Sequence, residues 1–312
     1  MFGLVCIAPK YTDGAMMNPV NNQLKKHASA RGYTLVELMV GLLLSVFIVM
    51  MTIAYLVTSA KTFSVQTNEA LIQENARFTL DALSRLIREA GSDPSNSLPT
   101  ELSPLFAQGR CALDANRSNV ASDSNACTFD ELSTGSDRLS ITKAISSRAT
   151  ACDGSDILVE AGKSVLVATI LWSGDIDQDG IRSLYCQSYN IDTHTFIGRA
   201  APLIEGVDLV QFQYGLDTDM DGVIDQYQNQ EFRRSQILQT KSNSNLTSKL
   251  RPHLKAIRFA VLISPGSGLR RDQVVESSGA RSYQLLDGDA VEFNDRLPRS
   301  VYSSTVMLPS SN

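Results

Sequence analysis

Twenty consecutive residues without a charge, from Leu38 to Val57, limit what this chain can fold into. As a helix, a run of this length and composition is long enough to cross a bilayer. Lys25, Lys26 and Arg31 precede it, and basic residues favour the cytoplasmic side of a span. The sequence therefore predicts a single membrane span, with every residue after Val57 outside the cytoplasm.

One acidic residue, Glu37, stands at the start of the apolar run. An unpaired carboxylate drawn towards the bilayer centre costs about 2.5 to 3.5 kcal/mol, so Glu37 needs a cationic partner. The segment RGYTLVELMVG, residues 31–41, resembles the cleavage site of type IV prepilins. Such a site has a basic leader that ends in Gly, then an aromatic residue, and Glu as the fifth residue of the mature chain. The resemblance implies that a prepilin peptidase cuts between Gly32 and Tyr33, that Tyr33 is N-methylated, and that Glu37 pairs with the new amine of a neighbouring subunit.

Two other interpretations of this segment explain less. A secretory signal peptide has a shorter apolar region followed by its cleavage site, whereas Gly32 precedes the apolar run. A plain membrane anchor explains the apolar residues but not the spacing of Gly32, Tyr33 and Glu37. Residues 1–16 carry little charge, and a start at Met16 or Met17 would give a compact leader with the same mature chain.

A single long helix is predicted from Tyr33 to Ala90, because no Pro interrupts this stretch and Gly91 followed by SDP is a stop signal. Its second half carries an apolar stripe at helical spacing. The members of the stripe are Ile72, Ala76, Leu80, Leu83 and Ile87. Residues 75–78 and 83–91 also resemble the end of this helix in PilW-family minor pilins.

Beyond the helix the sequence predicts a β-rich head. Residues 92–137 are rich in Ser, Asp, Asn, Pro and Gly and indicate a long loop. Residues 299–308 resemble the last strand of PilW proteins. Strands are predicted at 138–142, 164–172, 181–189, 207–214, 254–264 and 301–308.

These elements together predict an α+β pilin fold, in which the long N-terminal helix packs on an antiparallel sheet. The predicted organisation is a cleaved leader at 1–32, a transmembrane half of the helix at 33–60, an amphipathic half at 61–91 and a head at 92–312. Residues 1–32 carry a net charge of +3, so the total of −5 leaves −5 − 3 = −8 for residues 33–312. So acidic a chain without a basic patch is not expected to bind nucleic acid.

Four cysteines follow the leader, and Cys6 lies within it. Outside the cytoplasm an even number of cysteines predicts disulfides, here with three alternative connectivities. Reduced, buried thiols are the alternative if the head is cytosolic, and no spacing indicates zinc. The four candidates are Cys111, Cys127, Cys152 and Cys186.

Two acidic segments share the DxDxDG pattern that opens a calcium loop. Calcium is therefore a candidate ligand, although neither segment has the Glu that closes such a loop, and Asp-Gly pairs also favour plain hairpin turns. The second segment is the better candidate because Asp225 stands at loop position 9. Its acids are Asp217, Asp219, Asp221 and Asp225, and the weaker first set is Asp175, Asp177 and Asp179.

No sequence motif indicates an enzyme or a required cofactor: the chain has no HExxH, GxSxG, GxGxxG or P-loop pattern. We expect a PilW-like minor pilin that acts by assembly with other minor and major pilins, a prepilin peptidase and an inner-membrane assembly platform. It would be a single-pass inner-membrane protein with a periplasmic head, and then part of a pilus at the cell surface. The alternatives are a GspJ-like minor pseudopilin of type II secretion and a membrane-anchored calcium-dependent adhesin.

Overall fold

The computed structural model describes residues 32–91, 128–130, 135–176, 178–219, 221–229, 253–268, 280–295 and 297–308. The chain divides into two compact units, residues 1–57 and residues 58–312. The leader and most of the predicted loop at 92–137 lie outside the described residues.

The predicted long helix is present as α1 (Leu35–Arg88), and each of its ends lies within two residues of the predicted end. It begins behind Thr34, whose Oγ1 accepts a hydrogen bond from the Glu37 backbone N–H at 3.2 Å, as an N-cap does. It ends at Arg88, and the turn that follows reaches Gly91, which has a left-handed φ of 75° that favours glycine. The Gly91 N–H then donates to the Thr142 carbonyl at 2.7 Å, which fixes the chain as it leaves the helix.

The apolar stripe in the second half of α1 packs on the head, as predicted. Ile72, Leu83 and Ile87 are fully buried, Ala76 is buried and Leu80 is half-buried. Each large side chain buried in this way contributes about 1.5 to 3 kcal/mol of transfer free energy. This stripe therefore attaches the helix firmly to the head.

Twelve strands form the head among the described residues. In chain order the strands are β1 (Arg138–Ile145), β2 (Ala149–Thr150), β3 (Asp156–Ile157), β4 (Val165–Gly174), β5 (Ser183–Asn190), β6 (Thr195–Glu205), β7 (Val207–Asp217), β8 (Gln226–Gln228), β9 (His253–Ile263), β10 (Arg281–Tyr283), β11 (Val291–Phe293) and β12 (Ser300–Met307). The six predicted strands are present, and β2, β3, β6, β8, β10 and β11 were not predicted.

Two four-stranded antiparallel sheets carry the core, with the strand orders β1-β4-β5-β6 and β12-β9-β7-β8. They meet where the residues preceding β1 run beside β7. The Asp137 N–H donates to the Val210 carbonyl at 2.8 Å, and the Asp137 carboxylate accepts the Phe212 N–H at 2.7 Å. The helix stripe shares one core with both sheets.

Val210, Phe212 and Tyr214 share one face of β7, which lies on the core. Gln211, on the other face, is 2% exposed. Its Oε1 accepts the Gly288 N–H at 3.0 Å. The segment containing β10 and β11 covers this face with a second apolar cluster, so both faces of β7 are buried.

Candidate functional site

The predicted processing site lies in exposed chain at the start of α1. Gly32 and Tyr33 precede the helix, and Glu37 lies in its first turn with its side chain exposed. Thr34 and Glu37 have the S/T-x-x-E spacing of a capping box, which is a local signal for the start of a helix. The bond to Thr34 uses the backbone of Glu37, so this bond does not need the carboxylate.

The apolar first part of α1 is exposed throughout. By length and composition α1 is able to cross a membrane, and its most apolar stretch is 0% buried. A shallow groove on this helix is lined by Tyr33, Glu37, Leu38, Gly41, Leu42 and Ser45. An exposed apolar helix near the N-terminus fits a single-pass membrane anchor.

The second acidic loop, residues 217–225, brings three of its four predicted acids together. One carboxylate oxygen from each of Asp217, Asp219 and Asp225 lies within 4.8 Å of the others. The Asp221 carboxylate is outside this group and accepts the Val223 N–H at 2.7 Å. Hydrogen bonds from the Thr218 backbone N–H and Oγ1 hold the pKa of Asp225 below its usual range.

The first acidic loop repeats part of this geometry. The Gly180 N–H donates to Asp175 Oδ2 at 3.1 Å, and the Gly222 N–H donates to Asp217 Oδ2 at 3.0 Å. The Asp179 carboxylate accepts the Ile181 N–H at 2.8 Å, as Asp221 does for Val223. Asp177 lies outside the described residues.

A positive charge lies near the first acid of each loop. Lys255 Nζ in β9 lies 3.7 Å from Asp217 Oδ2, and the Asp217 side chain is only 1% exposed. Burial lowers the pKa of the Arg182 guanidinium, and the charges of Asp208 and Asp175 oppose this shift. No local sequence signal identified Lys255, because it is far along the chain from Asp217. Neither loop is therefore a set of acids alone.

The structure pairs two of the four predicted cysteines. Cys152 and Cys186 form a disulfide, with their Cα atoms 5.6 Å apart. The bridge attaches the segment between β2 and β3 to β5, where the Ser188 hydroxyl also accepts the Cys152 N–H at 3.2 Å. Cys111 and Cys127 lie outside the described residues.

The attached segment also reaches strand β6. The Asp153 carboxylate accepts the Arg199 N–H at 2.8 Å and the Ser155 N–H at 3.1 Å. Bonds from the Ser155 hydroxyl and from these amides lower the pKa of Asp153 to about 2. Gly198 has a left-handed φ of 67°, and a Cβ there would meet the Asp153 carboxylate. The disulfide and this carboxylate together fix the segment against β5 and β6.

A family model described as PilW, type IV pilus-assembly protein W, matches residues 175–310. The match begins at the first acidic loop and extends through β5 to β12. No curated protein and no solved structure matched the chain.

Proposed function

Since the chain is a PilW-family type IV pilus protein, we propose that it is a minor pilin, which assembles with other minor and major pilins. A prepilin peptidase would cut between Gly32 and Tyr33, and Tyr33 would be N-methylated. An inner-membrane assembly platform would then move the chain from the membrane into the pilus. Its role would be in initiation of assembly or in a tip complex that supports twitching motility and adhesion.

The observation that carries this proposal is the exposed carboxylate of Glu37 in the first turn of an uncovered apolar helix. In the bilayer this acid is costly unless it meets a cation. The amine of Tyr33 on a neighbouring subunit supplies such a cation in the same apolar layer. Pairing neutralises both groups and sets the axial position of one helix against the next.

A second exposed group supports the insertion of α1 among other helices. Phe78 is 56% exposed although it lies in the half of α1 that packs on the head. It shares the outer side of the helix with the Arg85–Asp81 pair, in which the nitrogen–oxygen distance is 2.6 Å and both side chains are largely exposed. An exposed aromatic ring gains stability when a neighbouring helix covers it.

The test replaces the carboxylate without removing the helix cap. Glu37→Ala keeps the backbone bond to Thr34 and should abolish incorporation into pili, measured by immunoblotting of sheared filaments. Thr34→Ala removes the cap but keeps the carboxylate, and it should retain most incorporation. Normal incorporation of Glu37→Ala would refute the assembly role, and equal loss in both variants would assign the effect to capping.

The pseudopilin alternative makes a different genetic prediction. Deletion of a minor pilin removes surface pili and twitching and leaves secretion intact. Deletion of a GspJ-like pseudopilin leaves pili and stops exoprotein secretion. The PilW match favours the first outcome.

We also propose calcium binding at the second acidic loop, since three carboxylates approach one another there. Carboxylates are ligands that Ca²⁺ prefers. Gln228, at position 12, belongs to β8 opposite Tyr214, so this loop would not close like an EF-hand. Calorimetry on the full chain in detergent, with the double variant Asp219→Asn/Asp225→Asn as control, tests this: no heat at millimolar calcium would dismiss it.

A further inference from the structure

Strand β12 ends the sheet β12-β9-β7-β8 and differs from the other strands at sheet edges. It pairs with β9 over eight residues in unbroken antiparallel register, from Ser300–Ile263 to Met307–Ala256. The strand reads SVYSSTVM and contains no charge, no proline and no bulge. An edge strand with none of these devices is a template for pairing with another strand.

The backbone groups that face the free edge of β12 follow from its register. The Leu308 N–H donates to the Lys255 carbonyl at 2.7 Å, so the even-numbered residues of β12 face β9. The odd-numbered residues therefore direct their N–H and C=O groups away from β9. Their side chains are exposed, and no hydrogen bond to these groups occurs in the described part of the chain. The four residues are Val301, Ser303, Thr305 and Met307.

The other edges are closed or short. The outer edge of β1 bonds to the chain's own groups: the Phe129 carbonyl accepts the Arg138 N–H at 2.9 Å, and the Thr142 carbonyl accepts the Gly91 N–H. Strand β6 is irregular against β5, contains Pro202 and gives its Arg199 N–H to Asp153. Strand β8 has only three residues. Among the described strands of the two four-stranded sheets, a long edge with unpaired backbone groups is therefore specific to β12.

The start of β12 is also held rigidly. Arg299, directly before it, has a 3% exposed side chain that bonds to Asp208 at the start of β7 and to Asp295. Its guanidinium carbon lies 3.9 Å above the centre of the Phe293 ring. An edge fixed before it meets a partner loses little conformational entropy on pairing.

We propose that the free edge of β12 binds an extended, uncharged segment from the head of another pilin, by addition of that segment as a further strand. The proposal rests on the proposed pilin function. Backbone bonds to residues 301, 303, 305 and 307 supply affinity. Val301 and Met307 at the ends, and hydroxyl groups between them, favour apolar residues at both ends of the added strand.

A second copy of this chain is a poorer occupant. Antiparallel pairing of β12 with itself requires a two-fold axis perpendicular to the sheet. Because α1 packs on the sheet, that axis would reverse the direction of α1 in the second copy. In the proposed assembly the α1 segments that pack on the heads all run in one direction, which is incompatible with this self-pairing and favours a different pilin as the occupant.

The test places a photoreactive phenylalanine analogue at Ser303 in the full chain, in cells that carry the complete pilus machinery. Thr195, an exposed residue of β6, is the matched control position. The expected result is a crosslink from position 303 to an extended head segment of another pilin, identified by mass spectrometry. A crosslink to a second copy or to a protein that is not a pilin, or a yield equal to that at position 195, would overturn the proposal.

Backbone substitution at Thr305 gives a second readout. Thr305→Pro removes an outward N–H, which an edge strand tolerates, and should lower the crosslink yield about tenfold, as expected for one lost backbone bond. Thr305→Val keeps this N–H and should retain the crosslink. Equal yields from the two variants, both unfolding at the wild-type temperature, would refute strand addition. Glu37→Ala tests the pilin function separately. If this variant were incorporated normally, the proposed pilin function would fail, and the crosslink at position 303 could still be measured in the membrane.

Discussion

Arg299 Nε lies 2.5 Å from Asp208 Oδ2, and both side chains are nearly inaccessible, 3% and 6% exposed. The pair joins the residue before β12 to the start of β7. Burial raises the pKa of Asp208, while the charges of Arg299 and Arg182 act in the opposite direction. Burial lowers the pKa of Arg299, but its bonds to Asp295 and Asp208 outweigh this and raise it.

Arg299→Ala should lower the free energy of unfolding by about 3 to 5 kcal/mol, because it leaves the Asp208 carboxylate buried without its partner. The exposed pair Arg85–Asp81 has a similar distance, 2.6 Å, and is the matched control. Arg85→Ala should cost less than about 1 kcal/mol. Chemical unfolding of the full chain in detergent measures both values, and equal losses would contradict the difference that burial predicts.

The disulfide between Cys152 and Cys186 should contribute about 3 to 4 kcal/mol, as expected for the 34-residue separation that it closes. The double variant Cys152→Ala/Cys186→Ala should lose this amount. Peptide mapping without reducing agent should recover a 152–186 crosslink and a second one between Cys111 and Cys127. Any mixed pairing, such as 127 with 152, would contradict this connectivity.

Alanine substitutions at Gly198 and Gly162 distinguish backbone strain from a steric clash. Both glycines have left-handed φ values, 67° and 78°. A Cβ at Gly162 meets nothing within 4 Å, whereas one at Gly198 meets the Asp153 carboxylate. Gly162→Ala should therefore cost about 1 kcal/mol, and Gly198→Ala should cost clearly more. Thermal unfolding checks the order, and equal losses would show that Asp153 moves aside freely.

The same carboxylate gives a pH dependence. The pKa of Asp153 falls from 3.8 to about 2 on folding, so the folded state holds its proton less tightly than the unfolded state does. The stability from this group is present above pH 3.8 and is lost as pH falls towards 2. Asp153→Asn should remove this pH dependence from the free energy of unfolding, measured in a pH series. At neutral pH the variant should differ from the wild type only by a constant amount.

The sequence predicted the helix and six strands because their signals are local. The apolar stripe from Ile72 to Ile87 has helical spacing, and β7 and β9 are rich in β-branched and aromatic residues. Strand β6 was missed because Gly198 and Pro202 interrupt its pattern, and both lie where its pairing with β5 is irregular.

Long-range contacts had no such signal. The burial of Gln211 depends on Gly288, 77 residues away, and the pairing of Arg299 with Asp208 spans 91 residues. The acidic loops were visible as a motif, but the approach of Lys255 to Asp217 depends on the register of β7 with β9. Such tertiary contacts can be predicted only when the order of the strands in the sheet is known.

Lys255 provides the last prediction, because it supplies a positive charge to the second acidic loop. Its Nζ lies 3.7 Å from Asp217 Oδ2, where a bound cation would compete with it. Lys255→Met keeps the aliphatic stem and removes the charge, so calcium affinity should rise by at least about fivefold. Arg258→Met, on the same strand, is the control, since that guanidinium stacks 3.8 Å above the Tyr227 ring centre. Calorimetry with calcium measures both variants, and equal affinities would show that Lys255 does not limit binding.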